Sequence, residues 1–143
     1  MKKPLRLLFI ALLTPCLMIP THAQSTAQTP QPSNLKLNLD LLSDTNGVDL
    51  GPYVRTLISD LRNHWLPLVK DAASQLPIKQ EETIVEFTIA ADGSISAMKL
   101  EDPTHDTALD KAAWNAAKAT SYLPPPTGMK DPSLKLRVHF IVN

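Results

Sequence analysis

The side chains with most capacity for chemistry are four histidines, His22, His64, His105 and His139, and the adjacent acids Glu81 and Glu82. Histidine near neutral pH serves as an acid, a base or a metal ligand. A zinc site needs ligands at short spacings such as H-x-x-H or H-E-x-x-H, and these histidines are scattered. Glu81 and Glu82 alternate across an extended segment, so they cannot face one substrate together. His105 beside Asp106 imitates an acid/base pair but reads better as the polar opening of a helix. No G-x-S-x-G, P-loop or G-x-G-x-x-G occurs, and the chain has only 4 glycines. No catalytic residue, metal or cofactor is expected, and the chain is not read as an enzyme.

With chemistry set aside, the length of 143 residues fits one domain, and 43% hydrophobic residues is an ordinary globular content. The N-terminus, "MKKPLRLLFIALLTPCLMIPTHAQ", has a basic start in Lys2, Lys3 and Arg6, an apolar run and then Thr21-His22-Ala23. That is the pattern of a signal peptide over residues 1–23, cut after Ala23. The apolar run at 5–19 is shorter than the ~20 residues of a bilayer span; retained, it would act as an inner-membrane anchor. Proline before Cys16 and an apolar run after it argue against a lipidation site. The expected location is the periplasm, and a membrane enters only if the N-terminal segment stays. Cleavage removes three of the 14 basic residues and none of the 14 acidic ones, so the balance turns negative. Nucleic acid is not an expected partner, since no basic excess or stripe is present.

The polar stretch "QSTAQTPQPSN" at 24–34 is a linker. Leu35, Leu37, Leu39 and Leu41 follow at period two, the pattern of a strand, read as an extra N-terminal edge strand. The polar linker and this strand make up residues 24–41. In "DLGPYVRTLISDLRNHWL", Val54, Leu57, Ile58, Leu61 and Trp65 share one face of a helix. Asp49 or Gly51 caps it, Pro52 suits its first turn, and Pro67 is expected to end it, leaving "VKDAASQLPIKQ" as a connection with room for one short helical turn. Trp65 belongs to the core.

Residues 85–103, "VEFTIAADGSISAMKLEDP", read as two strands joined at Asp92-Gly93. Val85, Phe87 and Ile89 share a face, but Ile95 is out of phase with Met98 and Leu100. A type I turn with Gly93 in the left-handed region, plus a bulge near Ser96-Ala97, restores the phase. Asp92 and Gly93 are thus structural turn residues. A second helix follows Pro103: Asp106 or Thr107 caps it, Thr107 and Asp110 imitate a capping box, and Leu109, Ala112, Ala113, Ala116 and Ala117 form a small-residue stripe. Trp114 falls at the flank of that stripe. After the extended "YLPPPTGMKDP", Leu134, Leu136, Val138, Phe140 and Val142 alternate with Lys135, Arg137, His139 and Ile141, a half-buried strand. The fold class is α+β: a small antiparallel sheet with two helices packed on one face, in the order helix-strand-strand-helix-strand.

Taken together, Val85-Glu86-Phe87-Thr88-Ile89, Asp92-Gly93 with Ile95, Met98 with Leu100, Ala108-Leu109-Asp110 with Ala112-Ala113, Leu123-Pro124-Pro125-Pro126, and Leu136, Val138 and Phe140 resemble the C-terminal domain of the TonB/TolA family. The resemblance covers residues 42–143. The Ser-Ser-Gly that typically follows the family's second strand is replaced by Asp102-Pro103-Thr104-His105. The chain also shows no Ser/His-faced membrane helix or long Pro/Lys-rich span of the kind an energy transducer of the family needs. The resemblance implies a binding module that accepts an extended partner segment beside its sheet. On that reading Leu134, Lys135, Leu136, Arg137, Val138, His139, Phe140, Ile141 and Val142 form the partner-binding edge, Lys135, Arg137 and His139 giving it a basic-polar outer face. The implied partner is an envelope protein or a segment of an outer-membrane transporter, in TonB-dependent transport. The alternative is a scaffolding protein that forms a homodimer through strand edges.

Overall fold

The computed structural model describes residues 34–75 and 80–143. The expected signal at 1–23, Cys16 and the linker up to residue 33 lie outside the described residues. Six elements follow in order: β1 (Leu35–Leu41), α1 (Gly51–Gln75), β2 (Glu81–Ile89), β3 (Ile95–Asp102), α2 (Thr107–Ala119) and β4 (Leu134–Val142). The strands form one antiparallel sheet in the order β1-β4-β2-β3. Alternation puts Val85, Phe87 and Ile89 of β2 and Leu134, Leu136, Val138, Phe140 and Val142 of β4 in the core, all buried. Leu57, Leu61, Trp65 and Val69 of α1 and Leu109, Ala112, Ala113, Ala116 and Ala117 of α2 are buried with them. Trp65 stands edge-on to Phe140 with ring centres 5.2 Å apart. The α+β class, the element order and the extra N-terminal edge strand are as the sequence leads one to expect.

Helix α1 departs from expectation. It does not stop at Pro67 but carries that residue inside it and runs on to Gln75. Proline removes one helical hydrogen bond at a cost of about 3 kcal/mol. Val69, wholly buried one turn beyond Trp65, continues the apolar stripe past the break. Burying a valine returns about 1.5–3 kcal/mol, and the helix bridges the defect. At its start, the Asp49 carboxylate accepts the Gly51 N–H at 2.8 Å.

The β2–β3 hairpin keeps its expected form. The Gly93 N–H donates to the Ala90 carbonyl at 2.9 Å, the Ala90 N–H donates to the Ser94 carbonyl at 2.7 Å, and Gly93 has φ +86°. Ile89 pairs with Ile95 but Thr88 with Ala97, so Ser96 is the extra residue of a bulge. Met98 then faces Phe87, and Leu100 faces Val85. A second irregularity, with Val85 on Leu100 but Ile84 on Asp102, makes Glu101 another extra residue.

Helix α2 is capped by Asp106, whose side chain accepts from the Ala108 and Leu109 N–H groups. The capping-box imitation does not form. Asp110 instead turns inward, where its Oδ1 accepts from Thr83 Oγ1, the Thr104 N–H and Thr104 Oγ1, each at 3.0 Å. Thr83 is buried on β2, and a buried hydroxyl needs a partner. The crossover to β4 is fastened by two phenols. Tyr122 donates to the Ala117 carbonyl at 2.8 Å and Tyr53 to the Leu123 carbonyl at 2.7 Å. Burial pushes the Tyr53 phenol up to about 12.

Candidate partner-binding surface

The strand expected to be a free edge is interior. β4 pairs with β2 along its whole length, from Glu81–Val142 to Ile89–Leu134. On its other side it pairs with β1, from Leu35–Val142 to Leu41–Leu136. Of Leu134, Lys135, Leu136, Arg137, Val138, His139, Phe140, Ile141 and Val142, all nine pair with β2 and Leu136 to Val142 pair with β1 as well; Lys135 is met on that flank by the Leu42 N–H and Ser43 Oγ. The cause is β1 itself. Its leucines extend the apolar face of the sheet, with Leu35, Leu37 and Leu39 half-buried against the core. No residue of β1 is fully buried, whereas alternate residues of β4 are buried throughout.

The outer face of β4 is also less basic than its sequence implies. Lys135 Nζ reaches Glu86 at 2.6 Å, and Arg137 reaches Glu86 at 3.3 Å and Glu101 at 3.8 Å. Lys99 joins Glu101 at 2.8 Å. His139 lies between two carboxylates: Nδ1 is 2.6 Å from Glu82 and Nε2 is 3.0 Å from Asp40 of β1. The cations that would attract an acidic partner are answered by acids on β1, β2 and β3. The hydrogen bond from Lys135 holds the Glu86 carboxyl below its ordinary range, with Arg137 adding to the effect. At His139 partial burial opposes the charged ring, but hydrogen bonds and charge from Glu82 and Asp40 outweigh it and raise its pKa above 6.5. The two carboxylates sit on opposite ring nitrogens, so they do not converge on one ion. Among the described residues no cluster of His, Cys, Asp and Glu is built to hold a metal.

The sheet ends at β1 and β3. Bulges at Ser96 and Glu101 interrupt β3, a device that blunts an exposed edge. Beside it a groove of about 640 Å³ runs between the hairpin and α2, lined among others by Met98, Trp114, Lys118 and Tyr122. Trp114 sits half-buried at the flank of α2, as its place in the stripe predicts. Asp92 and Gly93 border this groove as turn residues. Asp92 accepts from the Ser94 hydroxyl at 2.6 Å and its N–H at 2.9 Å, which hold its pKa below the usual value. The β1 edge is regular and free of proline.

The remaining candidates for chemistry stay apart. His64 Nδ1 meets the carbonyl of Asp60 in its own helix at 2.9 Å. His105 is exposed, and its neighbour Asp106 is the helix cap. Asp40, Glu82, Glu86 and Glu101, which set the charge of the outer face, were not singled out from the sequence as partners of β4. Alternating acids on β2 opposite alternating cations on β4 were the available signal, and it needs the strand register to be read. Among the described residues no helix is long and apolar enough to cross a membrane.

The family model described as TonB C terminal matches residues 50–140, from the end of the loop before α1 to Phe140 of β4. No curated protein and no solved structure matches the chain. The match spans well over half of the 143 residues and leaves β1 outside it. The chain belongs to the TonB C-terminal domain family.

Proposed function

We propose that this domain is a periplasmic binding module that receives an extended segment of an envelope protein on β4, in the place that β1 occupies. The family carries the coarser reading, a role in binding envelope proteins in TonB-type systems. The observation behind the finer one is the position of β1. It lies outside the residues matched by the family model, pairs with β4 from Leu136 to Val142, and contains no fully buried residue. Without β1, the flank of β4 from Leu136 to Val142 would be open, with the backbone groups of Arg137, His139 and Ile141 turned toward an incoming strand. An added strand gains affinity through main-chain hydrogen bonds and specificity through alternate side chains. The leucine face of β1 sets the pattern for its replacement: apolar residues at period two toward the core, polar ones outward. The partner is read as an outer-membrane transporter or another envelope protein, and the process as TonB-dependent transport.

The experiment fastens β1 in place. In a Cys16→Ser background, Leu39→Cys with Val138→Cys puts thiols on directly paired residues. The reduced protein should capture a discrete envelope protein from extracts, and the oxidised protein should not. Equal capture by both forms would refute strand exchange on β4.

A further inference from the structure

We propose that the outer edge of β1 is a self-association surface, on which β1 of a second copy pairs antiparallel about Asn38. The seven residues read LKLNLDL. When the strand is reversed and laid beside itself about Asn38, Lys36 stands opposite Asp40 of the second copy, and Asp40 opposite its Lys36. Leu35 faces Leu41 of the other copy, and Leu37 faces its Leu39. A shift by two residues in either direction loses both charge pairs. A shift by one sets the charges opposite leucines and puts each strand's leucines on the wrong face.

Hydrogen-bonding parity agrees with this register. The Leu42 N–H donates to the Lys135 carbonyl at 2.9 Å, and the Asn143 N–H donates to the Asn34 carbonyl at 3.0 Å. Even-numbered residues of this strand thus turn their backbone groups toward β4. The odd-numbered leucines turn theirs outward, where a second copy would meet them. In the symmetric pair, Leu35 with Leu41 and Leu37 with Leu39 become the hydrogen-bonded pairs. Lys36 with Asp40 becomes the other kind of pair, whose side chains approach more closely.

Charge and apolar surface favour the same occupant. Lys36 is exposed and joins no ion pair in its own chain among the described residues, while Asp40 meets His139 through Oδ2 and its side chain is still 56% exposed to a second cation. Leu41, at the end of the leucine face, remains 39% exposed, and Leu35 of a second copy would stand against it. Charges on an edge ordinarily repel further strands; here opposite signs flank the centre, so the edge complements itself in a two-fold contact. This pairing leaves the bonds from β1 to β4 intact and uses the opposite edge of the strand.

Sedimentation equilibrium on the purified protein tests the proposal, with circular dichroism as the check on folding. The protein should dimerise reversibly. Lys36→Asp should weaken the dimer about tenfold, since two attractive cross-strand pairs become repulsive, while Lys36→Arg, which keeps the charge, should preserve it. In a Cys16→Ser background, Asn38→Cys should oxidise to a covalent dimer, while Lys99→Cys on β3 should not. A monomer at all concentrations, a dimer indifferent to Lys36→Asp, or cross-linking through Lys99→Cys would overturn the proposal. None of these readouts needs an envelope partner, so their failure is separate from any failure of strand exchange.

Discussion

Replacing Gly93 by alanine strikes the hairpin in two ways, and a control separates them. Gly93 has φ +86°, where a side chain costs roughly 1 kcal/mol. A Cβ built there would also lie 2.4 Å from the Tyr122 carbonyl oxygen and 3.2 Å from the Pro124 nitrogen. Both atoms are backbone, so the hairpin tip must move away from residues 122–124. That segment is held by the Tyr53 hydrogen bond to Leu123 and by packing of Tyr122 on Phe87, with ring centres 5.3 Å apart. Overpacking of this sort costs about 1–3 kcal/mol, so Gly93→Ala should lose roughly 2–4 kcal/mol in total. With a urea slope of about 1.5 kcal/mol/M, the midpoint should fall by about 2 M. Gly47 supplies the control, because it has φ +76° and nothing within 4 Å of a built Cβ. Gly47→Ala should show the backbone cost alone. Gly93→Asn tests the same division, since asparagine tolerates the left-handed region but brings the same Cβ. If Gly93→Ala costs no more than Gly47→Ala, or if Gly93→Asn is neutral, the reasoning from close approach is refuted.

Three further outcomes follow from single residues. Asp110→Ala leaves Thr83 and Thr104 without their shared acceptor and should cost about 2–3 kcal/mol by urea denaturation; a loss under 0.5 kcal/mol would deny the network any role. Because the folded-state pKa of His139 is raised, its contribution is fully present below the unfolded value near 6.5 and is lost as pH rises through the folded one. Stability measured from pH 6 to 9 should therefore fall in the parent protein and fall less in His139→Gln, and identical slopes would contradict the placement of the ring between Glu82 and Asp40. Pro67→Ala should raise stability by about 1–2 kcal/mol, since it restores a hydrogen bond inside a continuing helix; a destabilised variant would place the helix end at Pro67 after all.

Local pattern made much of this fold legible. Alternating leucines at 35–41, the helical stripe ending in Trp65, and the Asp92-Gly93 turn each specify their own backbone. Even the phase slip between Ile95 and Met98 exposed the bulge at Ser96. What stayed hidden depends on neighbours distant in sequence. Pro67 is a local stop signal, and only the burial of Val69 against the sheet overrides it. The neighbours of β4 are illegible because in an antiparallel sheet with one wet face, interior and edge strands share the same alternation. The basic outer face misled for the same reason: Lys135, Arg137 and His139 look unanswered until register brings Glu86, Glu101, Glu82 and Asp40 beside them. Asp110 looked like part of a cap because Thr83, its partner across the core, is 27 residues away.

The most direct test of strand exchange is amide hydrogen exchange, with and without a synthetic peptide copied from the segment of the captured envelope protein. In the free protein, amides of β1 that bond to β4 should be protected along with β4 itself. On adding the peptide, the account predicts that Leu35–Leu41 loses its protection while Leu134–Val142 keeps it, because one strand has replaced another on the same flank. Unchanged protection in β1, with new protection appearing at 106–120, would contradict the account and move the binding surface to α2 around Trp114.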